Sequence, residues 1–192
     1  MEAAGLTCAR AAALVCAVWF AGCSQDRAPD EQLILAVRGN QAAEVQRLLA
    51  QGANPNADRI AGYEGRPALF HAATFGYVEI GRMLIDRGAN VNFGADRGAV
   101  TPLMLAALNA SAPMVALLIE RGAAVDATAA GATALTEAAQ RGDPEVLRLL
   151  LEAGADPNVP MPDGRTPLCY AKGQGYDQAA ELLHAAGGRG EC

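Results

Sequence analysis

Reactive and bulky side chains are scarce in this sequence. Of its 192 residues only 5% are aromatic, and histidine occurs twice, at His71 and His184. The two histidines lie far apart and the five cysteines are scattered, so no metal-ligand spacing appears and no metal is expected. A G-x-S-x-G elbow and a C-x-x-C pair are both absent. Glycines fall at the ends of apolar segments instead of forming a phosphate-cradling loop. Asp143 and Glu145 resemble paired carboxylates, but they open a predicted helix, where acids suit the dipole. No catalytic residue and no cofactor emerge, and the chain is not read as an enzyme. Basic residues are outnumbered, 15 against 21 acids, for a net charge of −6, which disfavours nucleic acid as a partner. Strand formers are sparse, which excludes a sheet-dominated fold.

What is present is small and apolar. Hydrophobic residues reach 52%, and 43 residues are alanine, the strongest helix former. With 21 glycines and 10 prolines breaking the chain, the helices must be short and numerous: an all-α fold.

The N-terminus reads as an address. Ala11–Ala21 is an uncharged apolar run behind Arg10, too short to span a bilayer at about 20 residues but suited to a signal-peptide core. Phe20-Ala21-Gly22-Cys23 then resembles the bacterial lipobox, with Phe20 where that motif prefers leucine. The resemblance implies cleavage before Cys23, lipidation of Cys23 and a membrane anchor made by acyl chains. An ordinary secretory signal, leaving a soluble periplasmic protein, is the alternative. The expected boundaries are a signal peptide over 1–22, a lipidated linker over 23–30, a folded domain over 31–187 and a flexible tail over 188–192.

The remainder repeats. Pro67-Ala-Leu-Phe-His-Ala-Ala73, Thr101-Pro-Leu-Met-Leu-Ala-Ala107, Thr133-Ala-Leu-Thr-Glu-Ala-Ala139 and Thr166-Pro-Leu-Cys-Tyr-Ala-Lys172 start 34, 32 and 33 residues apart. A second series interleaves with them: Gln51-Gly-Ala-Asn-Pro-Asn56, Arg87-Gly-Ala-Asn-Val-Asn92, Arg121-Gly-Ala-Ala-Val-Asp126 and Ala153-Gly-Ala-Asp-Pro-Asn158. This pattern resembles the ankyrin repeat, T-P-L-H-x-A on a 33-residue period. It implies a solenoid of about five helix-turn-helix repeats with projecting turns, whose apolar stripes are buried only by stacking.

Local chemistry agrees. Thr-Pro pairs supply a hydroxyl cap followed by a proline at the first helical position. Gly52, Gly88, Gly122 and Gly154 close the second helices, and the Asn/Asp that follow are turn formers. The signature histidine is replaced throughout, by Phe70, Met104, Thr136 and Cys169. Histidine-centred hydrogen bonds between turns are therefore expected to be missing, with packing carrying more of the interface between repeats.

The resemblance implies a protein-binding surface made of the projecting turns and the exposed side of the first helices. The first turn is the longest and carries Arg59, Ile60 and Tyr63; the second carries Phe93 and Arg97. Phe75, Asn109 and Arg141 are expected to face the same groove. Ile60 and Phe93 could equally fold back as local staples. The functional expectation is a periplasmic, membrane-tethered, monomeric binding module of bacterial type. Its partner would be a protein such as a toxic enzyme or a stress-defence enzyme, with an envelope scaffold as the alternative. In an antiparallel helix pair the tail emerges near Thr166, and five extended residues reach roughly 17 Å. Cys192 can therefore bridge to Cys169; the alternative is a buried Cys169 and a free terminal thiol.

Overall fold

A computed structural model describes residues 28–60, 63–64 and 66–190. Cys23, the apolar run before it and Cys192 lie outside the described residues. Among the described residues ten α-helices follow one another: α1 (Pro29–Arg38), α2 (Ala42–Ala50), α3 (Ala68–Phe75), α4 (Val78–Asp86), α5 (Pro102–Leu108), α6 (Ala112–Glu120), α7 (Ala134–Arg141), α8 (Pro144–Glu152), α9 (Pro167–Gly173) and α10 (Asp177–Ala185). Between α2 and α3 a minimal antiparallel ladder pairs β1 (Arg59–Ile60) with β2 (Tyr63–Glu64).

Each helix starts and stops where its own residues dictate. Thr101, Thr133 and Thr166 accept hydrogen bonds on Oγ1 from the backbone N–H three residues on, at 3.3, 3.2 and 3.4 Å. Asp143 caps α8 through the N–H groups of Glu145 and Val146. The second helices end in the same double bond each time. In the first, Gly52 N–H donates to the Leu49 carbonyl and Ala53 N–H to that of Leu48. That closure needs a positive φ, and Gly52, Gly88, Gly122 and Gly154 adopt 83–89°. Between first and second helices another left-handed residue recurs: Asn40, Gly76, Ala110, Gly142 and Gly175. Ala110, at φ 53°, is the one member with neither the freedom of glycine nor the tolerance of asparagine.

The pairs then stack. First helices α1, α3, α5, α7 and α9 contact one another in sequence, and second helices do likewise. Leucine, valine and alanine from both rows, among them Leu33, Leu69, Leu103, Leu135 and Leu168, form one continuous buried core. Between second helices the spacing is tight. A Cβ at Gly81 of α4 would lie 3.0 Å from the Met114 Cε of α6.

Two expectations are corrected. Among the described residues the first helix starts at Pro29, inside the segment read as linker, because Pro29, Asp30 and Glu31 form its favourable first turn. Residues 188–190 of the tail are held, not loose. Gly188 N–H donates to the Leu183 carbonyl (2.8 Å) and Arg189 N–H to Asn158 Oδ1 (2.8 Å). Hydrogen bonds reinforce the packing that joins the repeats. Asn56 donates from Nδ2 to the Gly88 carbonyl (2.7 Å) and accepts on Oδ1 from Asn90 N–H (2.7 Å). Asn92 does the same to Gly122 (3.0 Å) and Ala124 (2.7 Å), and Asn158 to Gly187 (3.3 Å) and Arg189. These residues look in sequence like turn formers; they also clamp each unit to the next.

The histidine position itself is filled in four ways. The Phe70 ring meets Phe93 edge-on at 5.6 Å. Met104 is buried, and Thr136 closes a reciprocal capping box with Thr133. Cys169 is disulfide-bonded, to a residue outside those described.

Candidate functional site

The first projecting turn is the one most elaborated by the backbone. Its ladder sets Ile60 across from Tyr63 and Arg59 across from Glu64. The second turn is shaped by glycine. Gly94 at φ 94° and Gly98 at φ 61° flank a 3₁₀ turn, Ala95–Arg97. A Cβ on Gly94 would meet the Val100 carbonyl oxygen at 2.6 Å, so only glycine lets the turn close this tightly. Arg97 is exposed on this turn, and Val100 beside it is 44% exposed. Phe93 is half-buried against Phe70, so its ring serves the junction between turn and helix instead of standing free. The third turn is held by a single bridge, Ala129 to Ala132.

Phe75, Asn109 and Arg141 occupy a different edge. All three lie at the C-terminal ends of first helices, whereas the turns feed the N-terminal ends. At 1.5 Å per residue, a seven- or eight-residue helix separates the two sets by about 10–12 Å along its axis. Phe75 is 53% exposed, with its ring stacked 5.5 Å from Tyr77. Asn109 folds its amide back onto the Leu105 carbonyl at 2.8 Å. The single groove expected from the sequence is therefore two surfaces, one at the turns and one at the helix ends.

What lines the first helices beside the turns is a row that sequence reasoning passed over: Leu35, His71, Leu105, Glu137 and Tyr170. They share one register position, two residues beyond the core leucines Leu33, Leu69, Leu103, Leu135 and Leu168, and each is half-buried. The repeat alignment held that signal. His71 Nε2 is enclosed without a hydrogen-bond partner. Burial, helped by Arg38 and Arg66, holds its pKa below the ordinary 6.5. Burial pushes the Glu137 carboxyl up, partly countered by Arg141. At the far end the Tyr170 hydroxyl donates to Asp163 Oδ2 at 2.7 Å, raising the phenol and lowering the carboxyl. The row thus runs from apolar through ionisable to aromatic. Such a mixture suits a protein surface better than a single small ligand. Among the described residues no cluster of three or more His, Cys, Asp or Glu could hold a metal ion. Nor is any described helix long and apolar enough to cross a membrane.

A sequence model described as ankyrin repeats (3 copies) matches residues 8–95, 33–129, 92–161 and 126–189, which together take in most of the chain. The chain belongs to the ankyrin-repeat family. A B-cell lymphoma 3 protein homolog of Mus musculus is 32% identical over 149 residues, 77% of this chain and 33% of that protein. The ankyrin repeat and SAM domain-containing protein 6 of Rattus norvegicus is 38% identical over 104 residues, 53% of this chain and 12% of its own length. A putative ankyrin repeat-containing protein of Treponema pallidum is 42% identical over 102 residues, 52% of this chain and 34% of that one. The chain thus spans about a third or less of these relatives. The ankyrin repeats make it a protein–protein interaction module of a generally non-enzymatic family.

Proposed function

We propose that this ankyrin protein is an exported, non-enzymatic binding module that holds a protein partner against its first two projecting turns and the neighbouring first-helix row. The observation that carries the reading is the paired first turn. It is the one place among the described residues where a projecting turn gains a ladder, and it sets Ile60 opposite Tyr63. Tyrosine is enriched among residues that dominate binding energy. The neighbouring first-helix row adds the half-buried leucines Leu35 and Leu105 with His71 between them. Export to the periplasm and tethering through a lipidated Cys23 are supported by the apolar run Ala11–Ala21 and the small residues before Cys23. The disulfide at Cys169 favours the same oxidising compartment. A toxic enzyme or a stress-defence enzyme of the envelope is the partner class we favour.

The test is capture from a periplasmic extract by the mature chain, followed by titration of the captured protein. Tyr63→Ala should weaken binding by about 2 kcal/mol, roughly thirtyfold, with the melting temperature unchanged. Arg148→Ala, on the exposed face of α8, should change neither. Equal binding by Tyr63→Ala and the parent would overturn the assignment of the surface. Mass spectrometry of the mature terminus tests the anchor: an unmodified residue there would exclude lipidation of Cys23.

A further inference from the structure

The residues after α10 repeat the turn that follows the other second helices. Gly187 N–H donates to the His184 carbonyl and Gly188 N–H to that of Leu183, the same closure that ends the other second helices. Asn158 then grips the tail at Gly187 and Arg189 as Asn56 and Asn92 grip the following repeat. Beyond this, the tail presses onto the start of α9. A Cβ built on Gly190 would lie 2.6 Å from Cys169 Sγ and 2.6 Å from Thr166 Oγ1. Only a glycine passes this closely.

Cys169 is 7% exposed and disulfide-bonded. The sequence offers Cys8, Cys16, Cys23 and Cys192 as partners. Cys192 stands two residues past Gly190, within about 7 Å of extended chain, and a disulfide requires Cα atoms about 4.4–6.8 Å apart. Cys23 stands five residues before Ala28, which abuts α1 at the other end of the stack. From α1 to α9 there are four helix-to-helix steps of roughly 8–10 Å. Five extended residues cover at most about 18 Å of that distance. Cys8 and Cys16 would have to run back along the whole solenoid.

We propose that Cys169 and Cys192 form a covalent cap that ties the residues after α10 to the start of α9. Its formation takes two protons and two electrons from the thiols. Both pass to a disulfide donor of the thiol–disulfide oxidoreductase class, which leaves as a dithiol. Among the described helices the pair α9 and α10 packs against one neighbouring pair, α7 and α8, so it is the unit of the described stack most prone to open. The bond closes a loop around it. A cavity of about 570 Å³, lined by Asp163, Arg165, Thr166, Cys169 and Gly190 among others, gives solvent a way to the sulfur. A reductant can therefore release the cap without unfolding the rest.

The experiment is non-reducing peptide mapping of the full mature chain, with hydrogen exchange read on the oxidised and reduced forms. The expected map has one cross-linked pair, 169 with 192. On reduction, amides of α9 and α10 should open more readily by on the order of a few hundredfold, the loop-closure effect for a ring of this size. Those of α3 to α5 should not change. Cys192→Ser should exchange like the reduced parent whether or not reductant is present. Cys169 found alkylatable, or linked to Cys23, would overturn the proposal, as would identical exchange in the oxidised and reduced forms.

Discussion

The clamp between repeats makes a quantitative prediction because one of its rungs is defective. Asn56, Asn92 and Asn158 each donate to a glycine carbonyl of the next unit and accept from an N–H two residues further on. Asp126 occupies the equivalent place and accepts from Asp156 N–H at 3.0 Å. An ionised carboxylate has no proton for the corresponding carbonyl, that of Gly154. Asp126→Asn supplies the missing donor. One hydrogen bond is worth a net ~0.5–1.5 kcal/mol. Against it stands the weakening of the Asp156 bond, which is no longer assisted by charge. The balance is a stabilisation of about 0.5–1 kcal/mol, or an upward shift in melting temperature of a few degrees at most for a domain of this size. The mirror change, Asn92→Asp, removes a donor from an intact rung and should cost about 1 kcal/mol. Urea denaturation with unchanged slope measures both. The opposite signs are the test. If both changes destabilise, or both are neutral, the rungs do not hold the repeats together and the reasoning fails.

Ala110→Gly should stabilise by about 0.5–1 kcal/mol, since relief at φ 53° exceeds the freedom that glycine adds to the unfolded chain. Gly142→Ala should do the reverse by more than 1 kcal/mol, because the new Cβ would sit 2.4 Å from the Tyr176 ring; thermal melts compare the two. His71 binds its proton less readily folded than unfolded, so stability should fall as pH drops from 6.5 toward its depressed folded value. An NMR titration should place the His71 midpoint below 6.5, and His71→Leu should remove that part of the acid sensitivity. Phe93→Ala, by taking away the edge-on partner of Phe70, should cost about 1–3 kcal/mol of stability. A melting temperature equal to the parent's would return Phe93 to the exposed binding set.

The parts of this fold that were legible in the sequence are those carried by local chemistry. Thr101, Thr133 and Thr166 cap helices because a hydroxyl three residues before an N–H can do little else there. Gly52 and its equivalents mark helix ends because few other residues accept a φ near 85°. Less was legible wherever a side chain acts across the repeat. Asn92 reads as a turn former from its neighbours, and its real partners, Gly122 and Ala124, lie about one period away. The groove row was hidden for a different reason. Apart from the two leucines, Leu35, His71, Leu105, Glu137 and Tyr170 share no side-chain chemistry, and their shared register is what reveals them. Phe75 misled because exposure and helix membership follow from sequence, while the end of the helix it occupies relative to the turns requires the stack.

The clamp also separates what holds this protein together from what it can offer a partner. It begins at Asp30, whose carboxylate accepts from Asn54 N–H at 2.7 Å, and ends at the tail, where Asn158 holds Arg189. The network thus runs the length of the described stack. Every rung but that of Asp30, which lies in the first turn of α1, uses residues just after the second helices, before the chain reaches the paired turn or the first-helix row. The histidine position, relieved of joining the turns, can hold Phe70, Met104, Thr136 or Cys169, four side chains with four different local partners. Substitutions at the turn tips therefore leave the rung residues themselves in place. That separation is why Tyr63→Ala can report on binding alone, and why Asp126→Asn can raise stability without altering what the first two turns recognise.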